Sequence, residues 1–222
     1  MANNFRLDIP SKCRRFGGAD FDLRLQVADR FVEEFVKTVA PLKADDARDE
    51  VWTLAVRRRL IEICAKGCYA LPDTPYSAKG EYLADYTWSE EGDMKRLLLA
   101  CQTEWGTGWS GRTHWAPVER SFEKLLAVKA PFKVLIFSSC RQPDPLNPET
   151  DFSSDYAKGK LERSLRTYLH HLPGEVYIFV DFPQTRALDG DGKFQSLIWL
   201  SKRFGRQAVV LKKGPGGVLI RP

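Results

Sequence analysis

Two short stretches restrict the folds open to this chain more than anything else in it. Val134-Leu135-Ile136-Phe137 and Val176-Tyr177-Ile178-Phe179-Val180 are unbroken apolar runs. A strand with one wet face alternates apolar and polar residues, because successive side chains point to opposite sides. A strand without alternation is buried on both faces, which requires a sheet covered by helices above and below. Phe132–Ser138 and Val176–Phe182 are therefore expected to be central strands of an α/β sheet.

The rest of the chain supplies the helices and outer strands. Val27, Phe31, Val32, Phe35, Val36 and Val39 recur at helical spacing until Pro41 ends the run. A second helix is expected from Val51 to Lys66, stopped by Gly67, and its run Arg57-Arg58-Arg59 covers about 200° of helix surface. Residues 69–80, with two prolines and a glycine, read as a loop. Glu81–Ser89 and Met94–Trp105 read as a strand hairpin turning at Glu90–Asp93, followed by the glycine loop 106–111. Val118–Val128 and about 153–171 are expected helices. Phe194–Leu200 is an expected strand, although its unbroken run Leu197-Ile198-Trp199-Leu200 also fits a helix, and Val209–Lys213 with Val218–Arg221 form a terminal hairpin around Gly214-Pro215-Gly216-Gly217.

That order predicts an α/β fold in a single domain, 1–222, with a mixed central sheet flanked by helices. It divides into an N-terminal helical extension (1–46), a core (47–182) and C-terminal strands (183–222). At 222 residues the chain buries roughly 70% of its unfolded surface, so it needs no disulfide or metal to hold a core. Its 12% aromatic content argues against disorder. The longest apolar run is far short of the ~20 residues of a membrane span. No signal peptide is visible, so a cytoplasmic location is expected. Five cysteines (Cys13, Cys64, Cys68, Cys101, Cys140) fall in no CxxC pair, which favours reduced thiols over a zinc ribbon. Cys64 and Cys68, four apart, read as neighbours on one helix face.

Charge is unevenly spread. Residues 1–111 carry 16 Lys+Arg against 18 Asp+Glu, and residues 112–222 carry 18 against 11. The C-terminal half is thus net +7, a mild argument for a polyanionic partner.

One segment has the composition of a chemical site. Asp85 lies in the first strand of the expected hairpin, and Gln102 and Glu104 lie near the end of the second. Residues two apart on a strand share a face, so Gln102 and Glu104 project together, and the hairpin brings Asp85 across to them. Two carboxylates and an amide oxygen form a donor set for a hard cation, Mg²⁺ or Mn²⁺, and not for zinc. Lys124, on the helix that follows, is within reach of the same region.

Three segments, Gly80–Trp88 (GEYLADYTW), Leu97–Trp105 (LLLACQTEW) and Ser121–Leu126 (SFEKLL), resemble the PD-(D/E)XK nuclease superfamily. The resemblance covers about residues 47–182. It implies a restriction-endonuclease-like core of helix, hairpin, strand, helix and strand, acting on nucleic-acid phosphodiesters with Mg²⁺. Asp85 corresponds to the family's first metal aspartate. Glu104 stands where lysine is commonest, and Lys124 corresponds to a lysine relocated to the next helix. A glutamate of the first core helix corresponds to Glu62 or Glu50. Gln102 departs from the pattern, because the family carries Asp or Glu there and an amide brings no charge. That departure favours the competing expectation, a catalytically inactive nuclease-fold binding or interaction module.

The nucleic acid is expected along Arg112, Lys124, Lys158 and Lys160, with Trp109 and Trp115 as stacking rings. Other candidates carry less. His114 reads as a loop histidine, and His170-His171 as residues at a helix end that favour its dipole. Gly106-Thr107-Gly108 and Gly214–Gly217 lack the spacing of phosphate loops. Asp189–Lys193 lacks the final glutamate of a calcium loop and reads as a turn.

Overall fold

The computed structural model describes residues 6–16, 21–39, 49–72, 84–90, 96–105, 115–137, 154–172, 174–181, 195–201, 208–213 and 219–220. Four α-helices are present among them: α1 (Phe21–Val39), α2 (Asp49–Glu62), α3 (Trp115–Ala127) and α4 (Ser154–Thr167). The strands are β1 (Tyr69–Pro72), β2 (Tyr86–Ser89), β3 (Leu97–Glu104), β4 (Phe132–Phe137), β5 (Val176–Asp181), β6 (Gln195–Ser201), β7 (Ala208–Lys213) and β8 (Leu219–Ile220). They form one sheet in chain order. β1, β2 and β3 run antiparallel, β3, β4 and β5 are parallel, and β6, β7 and β8 return antiparallel. The mixed sheet and the two buried strands are as the apolar runs predict.

The parallel strands sort their side chains strictly. Phe132, Val134 and Ile136 of β4 and Val176, Ile178 and Val180 of β5 join a core with Phe31 and Phe35 of α1 and Val56 and Leu60 of α2. Leu135 and Phe137, with Tyr177 and Phe179, join a second core with Val118, Phe122 and Leu125 of α3 and Leu161 and Leu165 of α4. The sheet therefore lies between α1/α2 on one face and α3/α4 on the other. α3 and α4 each connect two parallel neighbours, and right-handed crossovers put both on the same side. Pro117 fits the first turn of α3, where a backbone N–H has no helical partner to lose.

Several expectations are corrected in detail. Tyr69–Pro72 is a strand, not loop, and pairs with β2 from Tyr69↔Ser89 to Pro72↔Tyr86. As the edge strand, β1 tolerates a proline at its last position. α2 stops at Glu62, four residues short of the expected end, and Gly67 takes a positive φ of 72° in the turn that follows. Cys64 and Cys68 are thus not helix-face neighbours, although both are buried and the Cys64 thiol donates to the Cys68 carbonyl at 3.5 Å. Of the three consecutive arginines, Arg57 and Arg58 are exposed, while Arg59 is buried and holds the Glu34 carbonyl of α1 from Nε (3.0 Å) and a terminal nitrogen (2.6 Å).

The segment read as an N-terminal extension packs into the first core through Leu7, Ile9 and Cys13. It is tied to the end of α2 by Leu7 N–H to the Ile63 carbonyl and Lys66 N–H to the Leu7 carbonyl. Trp88, 1% exposed, packs edge-on against Phe31 and donates its indole N–H to the Leu60 carbonyl at 3.1 Å.

Candidate functional site at the end of strand β3

β3 and β4 run parallel to their ends, where Glu104 pairs with Phe137. Ligands of α/β sheets sit at such carboxyl ends of strands. Asp85, Gln102 and Glu104 lie near this end of β3, whereas Lys124 sits in the last turn of α3, which runs back from it.

Asp85 does not lie inside β2, as its sequence position suggested, but in a bend just before it. Tyr86 and Trp88 face the α1/α2 core, whereas Ala84 belongs to the α3/α4 core. Regular alternation would put Ala84 with Tyr86, so the pleat breaks at Asp85. The break lets its carboxylate reach β3 directly. Asp85 Oδ2 accepts from the Thr103 N–H at 2.7 Å and from the Thr103 hydroxyl at 2.9 Å, and the Asp85 N–H donates to the Cys101 carbonyl at 3.0 Å. Its charge is felt next door. Burial, and then the Asp85 carboxylate, push the Cys101 thiol well above its ordinary value.

Glu104 is half-buried and its Oε2 accepts from the Ser121 hydroxyl of α3 at 3.3 Å. Thr103 and Glu104 are consecutive on β3 and project to opposite faces. The Asp85 carboxylate is accordingly held on the Thr103 side, and that of Glu104 on the α3 side. Gln102, on the Glu104 face, is 2% exposed. Lys124 lies one turn beyond Ser121 on α3 and is half-buried. Asp85, Thr103 and Cys101 thus meet on one side of β3, and Glu104 and Ser121 on the other. The donor atoms are carboxylate and amide oxygens, a set suited to Mg²⁺ or Mn²⁺. Among the described residues, no three of His, Cys, Asp and Glu cluster as a ready metal site.

The first-helix acids separate. Glu62, at the end of α2, has a side chain 58% exposed and pairs with Arg59 at 3.1 Å; the side chain of Glu50 lies outside the described residues. Trp115 opens α3 and packs partly buried against the second core. Lys160 is half-buried on α4. Trp109, Arg112, His114, Cys140, the glycine loops and Asp189–Lys193 lie outside the described residues, as does the side chain of Lys158.

At the opposite end of the sheet, a buried polar cluster went unseen in the sequence. Lys133, second in β4, is 1% exposed and holds Glu175 Oε1 at 2.8 Å. Tyr177, second in β5, donates to Glu175 Oε2 at 2.7 Å, and Lys133 also donates to the Tyr177 hydroxyl at 3.2 Å. His171 lies beyond the end of α4 and is not a helix-end residue serving the dipole. It is buried, with Nδ1 at 2.9 Å from the Tyr177 hydroxyl and Nε2 at 2.7 Å from the Leu165 carbonyl. Burial pulls Lys133 below its usual range against the opposing charge of Glu175. Burial alone raises the Glu175 carboxyl, but hydrogen bonding from His171, the charge and hydrogen bond of Lys133 and the Tyr177 hydroxyl together hold it below its usual range. With these groups 1–3% exposed, the cluster is closed to any substrate and acts as a clasp between α3, α4, β4 and β5. The signal was present: Lys133 is a charged residue inside an otherwise apolar buried strand.

No family model, curated protein or solved structure matches this chain. No helix among the described residues is long and apolar enough to cross a membrane.

Proposed function

We propose that this chain is a nuclease-like α/β domain that acts on nucleic-acid phosphodiesters with a divalent metal, Mg²⁺ or Mn²⁺, held by Asp85 and Glu104. The observation that carries the reading is the direct bonding of Asp85 to Thr103, the residue between Gln102 and Glu104. It ties the Asp85 carboxylate to the residue next to Glu104, although the two acids are held on opposite sides of the strand. The order of α2, the hairpin β1–β2, β3, α3 and the parallel β4 is compatible with the core that the resemblance implies.

In this reading Asp85 keeps one oxygen on Thr103 and offers the other, and Glu104 turns from Ser121 to the metal. A bound Mg²⁺ supplies Lewis-acid polarisation and an activated water. Lys124, one turn from Ser121, adds positive charge where an oxyanion develops. The cations that would meet the polyanion are Lys124 and Lys160, with Trp115 as a ring; Arg112, Trp109 and the Lys158 side chain lie outside the described residues.

A second reading is a catalytically inactive nuclease-fold module that binds nucleic acid or another partner. It is favoured by Gln102, a buried amide where a carboxylate would bring charge, and by carboxylates held toward opposite faces of β3. Incubation with Mg²⁺ or Mn²⁺ and labelled single- and double-stranded DNA and RNA separates the two. Cleavage lost in Asp85→Ala and in Glu104→Ala supports the nuclease. Salt-sensitive binding without cleavage supports the module. Metal-dependent cleavage unchanged in both variants removes the proposed site.

A further inference from the structure

The start of β3, at the far end of that strand from Glu104, opens into a cavity of about 350 Å³. Among the described residues, four cations (Arg14, Arg15, Arg96 and Lys129) line it against one carboxylate, Glu90, and Arg96 has a further partner of its own. Three of the four come from the half of the chain whose net charge is −2, so the fold gathers them against the local composition. The hairpin does part of this, since the Glu90 N–H donates to the Arg96 carbonyl at 3.2 Å.

Glu90 is already engaged. Arg14 spans the Ile9 carbonyl (2.8 Å), the Lys66 carbonyl (2.8 Å) and Glu90 Oε1 (3.4 Å). Arg15 and Lys129 are exposed, and neither has an ion pair with any described residue. Next to Arg15, outside the cavity lining, lies one more guanidinium. Arg24 is fully buried, donates to the Arg15 and Gly174 carbonyls, and leaves Nε without a hydrogen-bond partner. Like charges drawn together in a concave, partly apolar site focus a positive field, and an anion there relieves it.

We propose that this cavity binds a small phosphate monoester, with its phosphate between Arg15, Arg96 and Lys129 and its organic body against Phe16, Leu97 and Pro131. A carboxylate brings a single negative charge, whereas a phosphate monoester brings about −1.5 to −2 and oxygens that suit guanidinium forks. The volume is near the lower end of the ~300–1,000 Å³ of small-molecule sites, which fits one compact ligand and not a duplex. The cavity and the Asp85–Glu104 site occupy opposite ends of β3, so each stands or falls alone.

Isothermal titration of the full chain with phenyl phosphate, inorganic phosphate and phenol tests the assignment. Phenyl phosphate is expected to bind one per chain, more weakly as salt rises. Inorganic phosphate should bind less well and phenol not measurably. Arg15→Glu/Lys129→Glu should weaken phenyl phosphate at least about tenfold, each lost cation removing a charge-assisted contact. Both side chains are exposed, so the variant should melt like wild type; should it not, Arg15→Gln/Lys129→Gln carries the same expectation. No phenyl phosphate binding at low salt, binding unchanged in the folded variant, or phenol binding as well as phenyl phosphate would overturn the proposal.

Discussion

Glu175→Gln removes one charge from a pair that is shut away from water. The Lys133 and Glu175 side chains are 1% and 2% exposed, and their 2.8 Å contact is the sole ion pair of Lys133 among the described residues. Glutamine keeps the size and an oxygen for the Tyr177 hydroxyl, but it leaves the Lys133 ammonium facing neutral acceptors, the Leu126 carbonyl and the Tyr177 hydroxyl. Breaking one partner of a buried pair costs about 3–5 kcal/mol. Domains of this kind are stable by only ~5–15 kcal/mol, so the variant should lose about a fifth or more of its margin. Equilibrium urea unfolding, followed by tryptophan fluorescence and far-ultraviolet circular dichroism, should show a lower midpoint at an unchanged m-value. Removing both charges in Lys133→Met/Glu175→Gln should cost less than the two single losses added, by about 1–3 kcal/mol. The sign of the pH dependence follows from the carboxyl. Held below its ordinary 4.5, Glu175 contributes stability that is present above that value and lost as pH falls through the lower folded one. The gap between wild type and Glu175→Gln should therefore narrow in acid below pH 4.5. A loss under about 1 kcal/mol at neutral pH, or strictly additive single losses, would refute the clasp.

Trp88→Ala should cost about 3–5 kcal/mol in the same urea assay, since a fully buried indole and its bond to the Leu60 carbonyl are lost together. Gly174→Ala should lower stability by about 1–3 kcal/mol, read as a fall in Tm, because φ is 84° there and the added methyl would stand 3.1 Å from the Arg24 guanidinium. Gln102→Glu should tighten Mn²⁺ binding by titration calorimetry while lowering stability without metal, because it buries a third negative charge at a position 2% exposed. A variant that binds no more tightly than wild type would mean that residue 102 does not face the metal.

β4 and β5 were legible because an unbroken apolar run has few alternatives to a doubly covered strand, and the hairpin β2–β3 because strand-forming Tyr86-Thr87-Trp88 and the apolar run Leu97–Cys101 flank a polar stretch. β1 was hidden by its surroundings. A four-residue edge strand ending in Pro72 reads in sequence as loop, and only its pairing with Tyr86–Ser89 makes it a strand. Asp85, Gln102 and Glu104 were legible as candidates, but not their geometry. Regular pairing would put Asp85 opposite Gln102 on one face, yet the bend before Tyr86 carries its carboxylate to Thr103, and nothing in the sequence marks such a break. The clasp was missed for a related reason: Lys133, His171, Glu175 and Tyr177 come from three segments whose registration exists only after α4 crosses over to β5.

Titration calorimetry of Mn²⁺ into the full chain at pH 7 reaches the proposed centre without needing a substrate. One ion per chain, weakened at least about tenfold by Asp85→Asn and again by Glu104→Gln, is the expected result, since each substitution removes a carboxylate from an all-oxygen site. The same Mn²⁺ affinity in wild type and both variants, or no Mn²⁺ binding at all, would contradict a metal held by Asp85 and Glu104.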